Sequence, residues 1–222
     1  MILAYRSGIP QYRLRKGSSK MTKEELDKIE EACKLAKQYN ANFRTKAIED
    51  PSADAVERLI NKYVQQGIQY VFFDYIFTSP SILQQFGGRN IREDTVLRMF
   101  STKLKQIAVD NNIFIRSATQ LNDGWSKNIV GERNQNCRRG AKAIADKIDV
   151  GLIGIKARQD ELNKVQSLIK VGRTPNQVID VYKNRDGEYT NIKIFRYFDY
   201  GTCQGTDLFA TNDNYELIQI KE

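Results

Sequence analysis

The sequence predicts an α/β protein in which a mostly parallel central sheet, flanked by helices, is extended by antiparallel C-terminal strands. Three observations carry that reading. Helix-period and strand-like segments alternate between residues 22 and 170. Apolar, β-rich runs follow helices directly, as they do in parallel βαβ units. After residue 178 the strand-like runs succeed one another through turns, with no helix between them.

Each element has its own signal. Residues 1–20 are basic and rich in Gly and Ser, with turn residues at Gly8-Ile9-Pro10 and Lys16-Gly17-Ser18-Ser19. Thr22 and Glu25 have the spacing of a capping box. Leu26, Ile29, Cys33, Leu35 and Ala36 then recur at helical spacing, which predicts a helix over about 22–39. Asp50-Pro51-Ser52 opens a second helix whose apolar face is Ala55, Val56, Leu59, Ile60 and Tyr63, ending at Gly67. Ile68–Ile76 is an apolar, aromatic run and reads as a central strand buried on both faces. Residues 77–91, with Ser79-Pro80 and Gly87-Gly88, read mostly as loop. The helical period returns over Ile91–Asn111, and Ile113–Thr119 is the next strand. The polar stretch 120–136, which holds the single Trp125, is longer than a routine connection. A helix near 138–148, a strand at Val150–Ile155 and a charged helix at 158–170 follow. The tail has strands at Val178–Tyr182, Ile192–Tyr197 and Tyr215–Ile220, with a turn at Asp186-Gly187.

Composition narrows the chemistry. The 222 residues contain no histidine, which removes His-based triads and HExxH zinc sites together. The three cysteines, Cys33, Cys137 and Cys203, are scattered and form no CxxC pair, so neither a disulfide framework nor a structural zinc site is expected. A net charge of +8, from 35 Lys+Arg against 27 Asp+Glu, favours a polyanionic partner. No run approaches the roughly 18–20 apolar residues of a membrane span, and the N-terminus has no signal-peptide pattern. A cytosolic protein is expected.

Four constellations can carry chemistry. Asp74 ends the run Tyr70-Val71-Phe72-Phe73 and so sits at the carboxyl end of a strand, where open parallel sheets bind ligands. A carboxylate there can hold the water shell of Mg²⁺ beside a phosphate; it can equally cap a loop. Gln120 follows the next strand through Ser117-Ala118-Thr119, able to reach a γ-phosphate or merely to start a loop. Lys183 and Arg185 flank Asn184 in Tyr182-Lys183-Asn184-Arg185-Asp186-Gly187, a pair suited to a transferring phosphoryl group, or else a solvated hairpin tip. Arg138, Arg139 and Lys142 stand at a helix start, where cations oppose the helix dipole. A nucleic-acid backbone would offset that repulsion.

Taken in order, apolar-run-Asp74, helix, strand-(S/T)xxQ120, loop, RGAxxIxxxxD from Arg139 to Asp149, strand and YKNRxG resemble the RecA-like motor domain of DnaB-like hexameric replicative helicases, phage versions above all. The resemblance spans roughly residues 5–211 and is specific between Tyr70 and Gly187. It implies a RecA-like P-loop NTPase fold and ATP-driven unwinding of duplex DNA by movement along single-stranded DNA in the cytoplasm of a bacterium or phage-infected host. By position it makes Asp74 the Walker B aspartate that orders Mg²⁺ through water, and Gln120 the γ-phosphate sensor. Arg139 and Lys142 become single-strand contacts, beside Arg138 at the same helix start. Lys183 and Arg185 become the fingers that enter the neighbouring subunit's ATP site in a hexameric ring.

One part of the pattern is missing. A phosphate-binding loop needs G-x-x-x-x-G-K-[S/T], and this sequence has no Gly-Lys dipeptide. The expectation is therefore one truncated motor domain over 1–222, its N-terminal strands and P-loop absent and a sheet edge left bare. Such a chain should not hydrolyse ATP alone and should depend on a P-loop-bearing partner chain. The alternative is a non-hydrolysing module that binds single-stranded DNA or assists helicase assembly. A metal-dependent nuclease built on Asp74 would need further carboxylates at the same strand ends, and none is evident.

Overall fold

The computed structural model describes residues 2–17, 21–39, 42–88, 91–119, 144–170 and 172–219. Their elements run α1 (Ile2–Ser7), α2 (Gln11–Arg15), α3 (Lys23–Tyr39), α4 (Ala53–Val64), β1 (Tyr70–Phe73), α5 (Pro80–Phe86), α6 (Glu93–Asp110), β2 (Phe114–Ser117), β3 (Val150–Lys156), α7 (Gln159–Lys164), β4 (Gln177–Asn184), β5 (Ile192–Asp199), β6 (Gln204–Thr211) and β7 (Leu217–Ile218). The chain divides into two compact units, Thr45–Ile148 and Met1–Arg44 with Asp149–Glu222, each holding one sheet.

In the unit 45–148, β1 and β2 pair in parallel from Tyr70↔Phe114 to Phe73↔Ser117. Helices α4, α5 and α6 supply Val56, Ile60, Ile82, Val96, Phe100, Leu104 and Ile107 to one core, against which Val71, Phe73 and Ile115 pack. Phe73 meets Phe100 edge-on, ring centroids 5.5 Å apart. The Ser52 side chain caps α4 by accepting from the Ala55 amide. α5 lies where the sequence reads as loop. Ser79 caps it by accepting from the Ile82 amide, Pro80 occupies its first turn, and Gly87 (φ 131°) follows its end. The same Ser, Pro and Gly that suggest turns are thus helix start and stop signals.

The strand leading to Asp74 is not buried on both faces. Val71 and Phe73 point to the helices, whereas Tyr70, Phe72 and Phe114 are 68%, 66% and 53% exposed. Alternation in a pleated strand sends every second side chain to the opposite face, and no described element covers that face. Parallel sheets are ordinarily covered on both sides.

The second unit is a five-stranded antiparallel sheet in the order β3-β4-β5-β6-β7. β3 alternates strictly, burying Ile153 and Ile155, and the core continues through Val178, Val181, Phe195 and Ala210. Phe195 stacks on Phe209 across β5 and β6 at 4.9 Å. The α/β class holds, with a parallel pair first and antiparallel strands after it. However, β3 enters the antiparallel part, because an apolar run reads the same whether its next partner runs parallel or antiparallel. The tail also contains β6, whose exposed Gln204-Gly205-Thr206-Asp207 half has no apolar signal, while the last strand shrinks to β7. The charged helix ends at Lys164, before a single 3₁₀ turn at Gln166–Leu168.

Two short helices occupy the basic N-terminal segment. The Gln11 amide donates to the Gly201 carbonyl at 2.8 Å and the Gln204 amide group to the Tyr5 carbonyl at 2.8 Å, tying α1 and α2 to the β5–β6 turn. The Thr22–Glu25 capping box forms in both directions, at 3.2 and 2.9 Å. Arg13, bonded to Glu25, holds that carboxyl below its ordinary range, helped by the Thr22 amide. Of the helix expected near 138–148, residues 144–145 are helical and 138–143 lie outside the described residues.

Candidate functional site

Asp74 is the first residue beyond β1 and is exposed at its carboxyl end. The register sets Phe73 beside Ser117, whose hydroxyl donates to the Phe73 carbonyl at 2.6 Å. The Ile76 amide donates to the Ala118 carbonyl at 2.9 Å, so the two strand ends stay joined past the ladder. The Asp74–Tyr75 peptide bond is cis. Ser117, part of the (S/T)xxQ pattern, thus ties its own strand to the residue before Asp74. An exposed carboxylate on a fixed strand end fits a metal ion held through water. Among the described residues no group of three or more Cys, Asp or Glu could hold a metal ion directly.

In the other unit, Lys183 lies near the end of β4 and Arg185 one residue beyond it. The strand ends at Asn184 and the chain bends at Arg185, so the two cations flank the last residue of β4. β3 and β4 slip in register between Gly151 and Leu152: Gly151 pairs with Lys183 and Leu152 with Val181, leaving Tyr182 as the extra residue. Such a bulge re-aims the strand end. Gly151 lies against the Tyr182 ring, and a Cβ there would require the ring to shift.

Asn184, between the two cations, has a structural task. Its amide group donates to the Tyr189 carbonyl at 3.0 Å, closing the turn. Gly187 lies against that amide, and a Cβ on it would overlap the Asn184 side chain. Gly187→Ala is therefore expected to push Asn184 off Tyr189 and cost about 1–2 kcal/mol in chemical denaturation. The Asn184→Ala/Gly187→Ala double variant should cost less than the sum of the two singles, because the overlapping group is gone. Simple additivity would show that the two residues do not share this turn.

Arg185 is held at both ends by Asp149. Its backbone amide donates to the Asp149 carbonyl at 2.9 Å and its guanidinium to the Asp149 carboxylate at 3.0 Å. Asp74 belongs to a different compact unit from Lys183 and Arg185. Gln120, Arg138, Arg139 and Lys142, with Trp125 and the loop 120–136, lie outside the described residues.

The model of the DnaB-like helicase C terminal domain matches residues 1–201. A Bacillus subtilis (strain 168) protein described as the SPbeta prophage-derived uncharacterized protein YorI is 31% identical over 230 residues, spanning 100% of this chain and 45% of its own. The chain thus spans less than half the length of that relative. Among solved structures, a DnaB-like replicative helicase described with its interactions with primase superposes with a TM-score of 0.70 at 14% identity, over 92% of this chain and 46% of that one. A second solved structure, described as an ATPase domain, does so with a TM-score of 0.70 at 14% identity, over 93% of this chain and 68% of that one. At that identity the likeness shows the fold, which is that of DnaB-like helicase ATPase domains.

Proposed function

The chain belongs to the DnaB-like helicase C-terminal domain family, and on that premise we propose that it is a portion of a replicative DNA helicase motor. In this reading it works in a hexameric ring that moves along single-stranded DNA and unwinds duplex at the expense of ATP, in the cytoplasm of a bacterial cell or phage-infected host. Among the described residues no helix is long and apolar enough to cross a membrane. The observation that carries the reading is the family match over residues 1–201, with Asp74 at a strand's carboxyl end and Lys183 and Arg185 flanking the last residue of another strand within it.

Each residue then has a role. Asp74 orders the waters of Mg²⁺ at the nucleotide, and Gln120 senses the γ-phosphate. Arg138, Arg139 and Lys142 neutralise phosphates of the single strand. Lys183 and Arg185 enter the neighbour's site and stabilise charge on the transferring phosphoryl group. The fit to ATP·Mg²⁺ is half complete. The chain offers the metal-side carboxylate and the cations, but no Gly-Lys dipeptide from which a phosphate cradle could be made. ATP binding therefore requires a P-loop supplied from outside these 222 residues. The exposed face of β1 and β2 is consistent with that requirement, since a packed partner would cover Tyr70, Phe72 and Phe114.

The missing Gly-Lys dipeptide also favours a second reading, a module that binds single-stranded DNA or helps assemble a helicase without turnover. Equilibrium binding of the chain to single-stranded DNA across a salt series tests the element common to both. Three phosphate-contacting cations should make log K fall against log salt with a slope of about −2. Arg139→Ala should flatten it by about 0.7. An affinity indifferent to salt would sink both readings. ATP turnover on adding a P-loop-bearing piece would separate them in favour of the motor.

A further inference from the structure

Asp149 closes the pattern that begins at Arg139, yet neither nucleotide nor DNA contact is assigned to it. It stands immediately before β3, as Arg185 stands immediately after β4, and the antiparallel register Val150↔Asn184 sets the two opposite one another. One residue thereby grips Arg185 twice, main chain to main chain at 2.9 Å and carboxylate to guanidinium at 3.0 Å. The two side chains are 47% and 41% exposed, and an ion pair so open to water adds little to stability. Its effect is on geometry. A free arginine at a strand end samples many rotamers, whereas one anchored through a single Nη keeps the remaining guanidinium donors aimed outward.

We propose that Asp149 is a positioning residue for Arg185, holding the guanidinium preorganised for the phosphoryl group in the neighbouring subunit's site. The inference rests on the motor reading and deepens it. It adds an orienting carboxylate in the same subunit as the finger, which removes the cost of ordering a long side chain at the moment of transfer. The bulge at Tyr182 and the Asn184–Tyr189 turn fix the backbone on which the grip depends.

The test begins on the 222-residue chain itself. Nitrogen-detected NMR of arginine side chains should show Arg185 with slowed guanidinium rotation. That signature should vanish in Asp149→Asn and return at least in part in Asp149→Glu, while thermal unfolding is unchanged across the three proteins. An Arg185 signal identical in wild type and Asp149→Asn overturns the proposal at once. In the ring assembled with its P-loop-bearing piece, Asp149→Asn should lower kcat for ATP by about tenfold to a hundredfold with KM unmoved, and Asp149→Glu should recover part of it. Wild-type turnover in Asp149→Asn, with turnover lost in Arg185→Ala, overturns the positioning role and leaves the finger standing. Wild-type turnover in Arg185→Ala overturns both the finger and the positioning role.

Discussion

Replacing Arg185 with alanine is expected to abolish ATP turnover in the assembled ring, by about a thousandfold or more in kcat, while nucleotide binding stays intact. The size follows from where the charge is needed. A guanidinium donating to the equatorial oxygens of a transferring phosphoryl group acts on charge that spreads in the transition state and is weaker in the ground state, so its loss appears in kcat. Unfolding would not account for the loss. Arg185 is exposed, and its pair with Asp149 is of the open kind worth about 0–1 kcal/mol. Steady-state turnover and equilibrium binding of a nucleotide analogue, measured on the same preparation, separate the two contributions. In rings mixed from wild-type and variant subunits, activity should fall with the fraction of variant, because a finger acting in trans as proposed would silence its neighbour's site when altered. Turnover that survives in the pure variant ring would remove the finger assignment.

The second large effect is on folding. Phe100→Ala is expected to destabilise the unit 45–148 by about 3–5 kcal/mol. Phe100 is fully buried on α6, packed edge-on against Phe73 and enclosed by the residues of α4 and α5 that make up the same core. Removing the ring loses its transfer free energy and leaves a cavity beside β1, one residue from Asp74. A domain with about 5–15 kcal/mol in total would lose a large share of its stability. Phe72→Ala is the informative comparison. Phe72 neighbours Phe73 in sequence but is 66% exposed, so its truncation should cost about 0.5 kcal/mol or less. Denaturant titration of both variants tests the assignment of faces. Equal costs would show that the outer face of β1 is covered in the isolated chain.

The strand-end positions of Asp74, Lys183 and Arg185 were legible because their signals are local, whereas Gln120, Arg138, Arg139 and Lys142 lie outside the described residues. A carboxylate directly after an apolar strand run must fall at a strand end, and Asp74 does. A strand run that gives way to Asp186-Gly187 must end near the cations before it, and Lys183 and Arg185 flank the last residue of β4. The capping box at Thr22 and Glu25 forms as its spacing predicts. Asn184, Gly187 and Asp149 were harder. The first two stood in the KNRDG motif, where they read as turn residues, but their mutual fit is a contact between side chain and backbone that composition does not reveal. Asp149 stood in the motif too. Its partner is 36 positions away, and only strand register brings them together.

The sequence by itself determined the alternation of helices and strands, the order of the charged motifs, and that these 222 residues hold neither a histidine nor a Gly-Lys dipeptide. These depend on residue identity and short-range periodicity, which the chain carries wherever it folds. Tertiary structure alone decided three other things. It exposed one face of the strand before Asp74, because a run of aromatics reads as fully buried until the covering element is known to be present or missing. It placed β3 in an antiparallel sheet, because apolar character does not specify which partner a strand's hydrogen bonds will find. It set Asp149 against Arg185, because pairing across a sheet is a long-range register that no local pattern encodes.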